Sequence, residues 1–133
     1  MRCVVNFKTT FQKLFERYVA SYRSADAVGC ASVFASEAEL YSPYGPPAIG
    51  RTAIEAAHME WVNEGAENKE IDVVDAGGSG DVGWCLAHYS EGSTGRGTSL
   101  NVLELQQDGN WLITHCSLNE APQTSPTWRT LLR

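Results

Sequence analysis

Apolar residues recur at three- and four-residue steps near the start of the chain, where Phe7, Phe11, Leu14, Phe15, Tyr18, Val19 and Tyr22 trace one stripe. That period marks an amphipathic helix, predicted to open near Thr9 or Thr10. Asp26 reads as the N-cap of a short second helix with Val28, Ala31, Val33 and Phe34 on its apolar face. Glu39 to Ser42 then reads as a brief strand, stopped by Pro43 and a turn at Gly45-Pro46-Pro47. Thr52-Ala53-Ile54-Glu55 has the form of a capping box, in which the hydroxyl and the glutamate each accept from the other residue's backbone N–H. It predicts a third helix reaching about Val62.

From Lys69 the period changes to two. Ile71, Val73 and Val74 lead to Gly77-Gly78, and residues 82–90 alternate Trp84, Leu86 and His88 against Cys85, Ala87 and Tyr89. Gly92 to Gly95 reads as a loop. Residues 98–106 and 111–118 flank Asp108-Gly109, a strong hairpin signal, so the second half is an antiparallel meander. Helices first and a meander afterwards define an α+β domain in which the helices close one face of the sheet. The domain is assigned to residues 1–120, and the turn-rich stretch 121–133 is a C-terminal tail.

Composition narrows the function. At 133 residues and 43% hydrophobic content the chain suits one packed domain. A net charge of −6 with scattered bases argues against a nucleic-acid face and against an anionic membrane surface. No apolar run has the length of a spanning helix, and residues 1–7 carry no export signal, so a cytoplasmic protein is expected. Cys3, Cys30, Cys85 and Cys116 are widely spaced and read as reduced thiols, with Cys30 and Cys85 as small core fillers. His58, His88 and His115 lack ligand spacing, so no metal is expected, and no cofactor motif is present.

In order and spacing, three segments resemble the nuclear-transport-factor-2-like superfamily: residues 34–43, the Ile49-Gly50-Arg51 entry to the third helix, and Asp108-Gly109-Asn110-Trp111 before a last strand. That superfamily includes ketosteroid isomerases, SnoaL-like polyketide cyclases and limonene-epoxide hydrolases. The resemblance covers residues 8–119. It implies a conical barrel, a curved antiparallel sheet closed by N-terminal helices around a deep pocket, and a homodimer paired through the outer sheet face.

Against the ketosteroid isomerases, Tyr18 matches the oxyanion-hole tyrosine and Asn101 the position of a protonated aspartate, where an amide also donates. His58 matches a tyrosine that some isomerases bond to the oxyanion tyrosine. Ser42 stands where the catalytic aspartate would be, and a hydroxyl with no adjacent base cannot shuttle protons at neutral pH, so isomerisation of ketosteroids is not expected. The family's register turns Trp84, Leu86 and His88 inward. The implied pocket holds Tyr18, His58, His88 and Asn101 within a wall of Phe15, Phe34, Tyr41, Ser42, Trp61, Trp84 and Leu103.

Two functional readings follow for an apolar or aromatic small-molecule ligand. In one the pocket performs proton transfer, isomerisation or hydration, with His58 or His88 as base and Tyr18 with Asn101 as donors. In the other the chain is a non-catalytic carrier or a dimeric interaction module, with Tyr18 and the histidines as satisfied core or core-edge groups. Either way Leu100 and Val102, opposite to Asn101 and Leu103 by alternation, form an apolar face for the homodimer.

Overall fold

The computed structural model describes residues 6–64, 66–92 and 95–121, so all but the first residue of the tail assigned to 121–133 lies outside the described residues. Helix α1 (Phe7–Arg23) is followed by α2 (Ala27–Ala31), β1 (Phe34–Ser42), β2 (Gly45–Ile49), α3 (Arg51–Trp61) and two single 3₁₀ turns. The meander β3 (Lys69–Ser79), β4 (Val82–Glu91), β5 (Arg96–Leu105) and β6 (Trp111–Glu120) completes the chain. The six strands form one curved, open sheet in the order β2-β1-β6-β5-β4-β3. Four of its five pairings are antiparallel, and β1 runs parallel to β6. Among the described residues no helix is long and apolar enough to cross a membrane.

The predicted stripe of α1 is its buried face: Phe11, Leu14, Phe15, Tyr18 and Tyr22 all pack inward. The helix opens earlier than expected because the Asn6 side chain accepts from the Thr9 N–H at 3.1 Å and serves as the cap. α1 lies along β3, one of the sheet's two edge strands, and satisfies three backbone groups in its first half. Gln12 donates to the Ile71 carbonyl and accepts from the Val73 N–H, while Arg23 Nε donates to the Lys69 carbonyl at 2.8 Å. The first half of an edge that would otherwise invite another chain is thereby covered.

Several local expectations need correction. Asp26 caps α2 as predicted, accepting from the Gly29 N–H at 3.0 Å, but the helix ends at Ala31 and Phe34 begins β1. Val28 is exposed, since five residues make too few turns to need a continuous apolar face. Pro46 and Pro47 sit inside β2 rather than in a turn, which an edge strand tolerates because it need not donate on its outer side. The capping box at Thr52 does not form: the N-cap is two residues earlier, at Gly50 with φ +91°, and has no side-chain cap. Its start is tied down instead by the Arg51 guanidinium, which donates twice to the Phe34 carbonyl.

Register decides which face of each strand is inside. Asn101 pairs with Cys85, so the inward set of β4 is Cys85, Ala87 and Tyr89, while Trp84 and His88 point out. The inward expectation for Trp84 and His88 is therefore off by one residue. The reason is steric: Gly83, on that inner face, lies so close to Phe11 that a Cβ would come within 2.6 Å of its ring, leaving no room at that end of the strand for an inward Val82 or Trp84. Along β5 the expectation holds, with Asn101 and Leu103 fully buried and Leu100 50% exposed.

Candidate functional site

Between α1, α3 and the inner sheet face lies a cavity of about 390 Å³. Of the residues singled out from sequence, Tyr18, His58, Phe34 and Trp61 line it. Phe15, Asn101 and Leu103 are buried but pack in the core without reaching it. Tyr41 alternates with Leu40 and so faces outward, its hydroxyl donating to Glu39 at 2.6 Å. Ser42 lies in a neighbouring groove between β2 and α3, where its hydroxyl accepts from the Tyr44 N–H. Trp84 and His88 are on the outer face, as is His115, 3.7 Å from the Glu39 carboxylate. The three histidines do not converge.

Tyr18 and His58 form a buried dyad with a defined proton arrangement. His58 Nδ1 is 2.7 Å from the Ile54 carbonyl, which can only accept, so Nδ1 carries the ring proton. Nε2 is then the acceptor, and the Tyr18 hydroxyl donates to it at 2.7 Å. Burial pulls the His58 pKa down to about 4, so the ring is neutral at pH 7. Burial also raises the Tyr18 pKa well above the usual phenol value. The consequence is electronic: Tyr18 offers a ligand its oxygen lone pairs, because its proton is already committed. The contact that the isomerase resemblance implied is present, but in this state it is not an oxyanion donor.

Asn101 sits fully buried, its amide donating to Ser99 Oγ at 3.0 Å and its Oδ1 without a hydrogen-bond partner. Cys30, Cys85 and Cys116 are buried free thiols whose pKa values burial pushes up to about 12, which removes them as thiolate nucleophiles.

The polar end of the cavity was missed from sequence. Lys69, on the first residue of β3, approaches Glu91 Oε1 at 3.1 Å, and Tyr22 donates to the same oxygen at 2.7 Å. The Lys69 ammonium lies 4.5 Å from the centroid of the Tyr22 ring and 4.9 Å from that of Tyr89. Tyr89 in turn shares a 2.7 Å hydrogen bond with Tyr44. Burial lowers the Lys69 pKa, with Glu91 opposing, and burial together with the bond to Glu91 raises that of Tyr22. A signal for these residues was present. Lys69 alternates with Ile71 and Val73, Glu91 follows Tyr89 by two, and Tyr22 follows Tyr18 by one helical turn. Each therefore shares a face with a core residue.

No family model matches the sequence, and no curated protein matches it significantly. Solved structures do match. A ketosteroid isomerase-like protein from Erwinia carotovora atroseptica is 12% identical, with 87% of this chain and 97% of that one covered at a TM-score of 0.72. A domain of unknown function with a cystatin-like fold from Nostoc punctiforme is 13% identical over 98% of this chain and 85% of its own, at a TM-score of 0.75. An NTF2-like protein with a cystatin-like fold from Novosphingobium aromaticivorans is 18% identical over 94% and 88%, at a TM-score of 0.71. Likeness at these identities establishes the architecture: the chain has the cystatin-like, NTF2-like α+β fold.

Proposed function

We propose that this chain binds a small, largely apolar or aromatic molecule in the cavity between α1, α3 and the sheet, with the ligand's polar group at the Lys69–Glu91 end. The observation that carries this reading is the Tyr22–Glu91–Lys69 cluster in the cavity wall. An ammonium and a carboxylate are costly to withdraw from water, and apolar side chains would close the same wall at lower cost if packing were its only role. A volume near 390 Å³ falls in the range of about 300–1,000 Å³ typical of small-molecule sites. The rings of Tyr18, Tyr22, Tyr44, Trp61 and Tyr89 supply flat apolar surface around it.

Binding is favoured over proton transfer by the residues first assigned to that chemistry. Tyr18 donates to His58, Asn101 lies behind the cavity lining and His88 is on the opposite face of the sheet. Tyr18 and His58 both line the cavity, but the hydroxyl proton of one and the free nitrogen of the other are committed to each other, so neither is left as donor or base for a ligand. The reading also includes a twofold dimer through the outer sheet face, where Trp84 and Leu100 are 39% and 50% exposed.

Titration with 2-naphthol, followed by calorimetry, tests the binding claim. Saturable one-to-one binding is expected, and it is lost in Leu118→Trp, which fills the cavity from a lining position on β6. A folded wild-type protein that binds no naphthol, indole or phenol saturably overturns the reading.

A further inference from the structure

We infer that the cavity accepts an aldehyde or ketone and holds it covalently, as an imine on Lys69 Nζ. The inference deepens the binding reading above and rests on it. The chain has three lysines, Lys8, Lys13 and Lys69. Lys8 and Lys13 are exposed on α1, whereas Lys69 is 7% exposed and lines the cavity.

Three features of the site fit amine chemistry. Lysine carries its charge on one titratable nitrogen, and burial favours the neutral, nucleophilic form of that nitrogen. Arginine would hold Glu91 equally well as an ion-pair partner but offers no such nucleophile. The Glu91 carboxylate, 3.1 Å from Nζ, stands where a proton must leave and return. The faces of Tyr22 and Tyr89 under Nζ stabilise a cation there, an iminium as well as an ammonium.

The step balances without an oxidant. Lys69 gives one proton to Glu91 or water, the nitrogen lone pair forms a bond to the carbonyl carbon as the C=O π pair moves to oxygen, and a second proton passes from nitrogen to that oxygen, leaving a neutral carbinolamine. The carbinolamine hydroxyl takes back the first proton and leaves as water while the nitrogen lone pair forms the C=N bond, which gives the iminium and, on loss of its remaining N–H proton to Glu91 or water, the imine. Hydrolysis reverses the sequence and releases the carbonyl compound.

Incubation of the protein with 2-naphthaldehyde and sodium cyanoborohydride traps such an imine as a secondary amine. One naphthylmethyl group per chain is expected by intact mass, located on Lys69 by peptide mapping. The adduct should be lost in Lys69→Arg, which keeps a cation beside Glu91, and in Leu118→Trp, which keeps the lysine but fills the cavity. Label confined to Lys8, Lys13 or the terminal amine, or unchanged labelling in Lys69→Arg, overturns the inference. If 2-naphthol binds while the aldehyde is not trapped on Lys69, covalent capture fails and the binding reading stands. If neither binds a folded protein, both fail.

Discussion

His58 shows how one buried side chain sets the chemistry of its neighbour. Its Nδ1–H is fixed by the Ile54 carbonyl, so Nε2 can only accept, and Tyr18 must spend its proton there. The folded-state pKa of about 4 lies below the usual imidazole value of 6.5, so the unfolded chain binds the proton more readily. Stability from this neutral histidine is therefore complete above pH 6.5 and is lost as pH falls toward 4. Between pH 7 and pH 5 the loss amounts to about 2 kcal/mol. Urea unfolding at intermediate pH values checks this, and His58→Gln should flatten that part of the curve. Equal slopes in wild type and variant would show that His58 is not buried in neutral form.

Lys69 and Glu91 teach a different lesson at the same scale. Composition gave no reason to place a lysine inside, yet alternation with Ile71 and Val73 put it on the core face. What alternation could not supply was the partner, since Tyr22 and Glu91 arrive from α1 and β4 and meet Lys69 only once those elements pack.

At the scale of elements, strong periodicity translated directly into structure. The stripe of α1, the Asp26 cap and the Asp108-Gly109 hairpin are all present, the last with Gly109 at φ +88°. One short motif did not form. The Thr52-Glu55 pattern matches a capping box, but the N-cap is Gly50, two residues too early for it. Asp26→Ala should thus cost about 1 kcal/mol by thermal unfolding, while Thr52→Ala changes stability by less than about 0.5 kcal/mol. A larger loss for Thr52→Ala than for Asp26→Ala would reverse this assignment of helix starts. The register of β4 was legible only after pairing with β5 was known. Strict alternation names two faces but not which one is inside, and here the contact of Gly83 with Phe11 decides it.

For the whole molecule, the sheet separates two apolar surfaces. The inner one, with the helices, encloses the cavity. The outer one carries Trp84 and Leu100, with Val102 directly beside Trp84 across the β4–β5 pairing. Order and spacing of motifs were enough to indicate this architecture, because they reflect topology. The cavity's lining was less legible, because it depends on which side chains three separate elements bring together. If the outer face pairs two copies, sedimentation of the wild type gives twice the 14.5 kDa chain mass and Leu100→Glu returns it to the monomer. A monomeric wild type at micromolar concentration would leave that face without its proposed partner.

Both surfaces are apolar enough to attract a planar ligand, and chemical-shift mapping with 2-naphthol on ¹⁵N-labelled protein separates them. Binding in the cavity predicts saturating shifts at the backbone amides of Phe34, Leu40, Ser99, Cys116 and Leu118, all of which line it. Shifts centred on Trp84, Leu86, Leu100 and Val102, with the cavity residues unmoved, would place the ligand on the outer face and contradict the account.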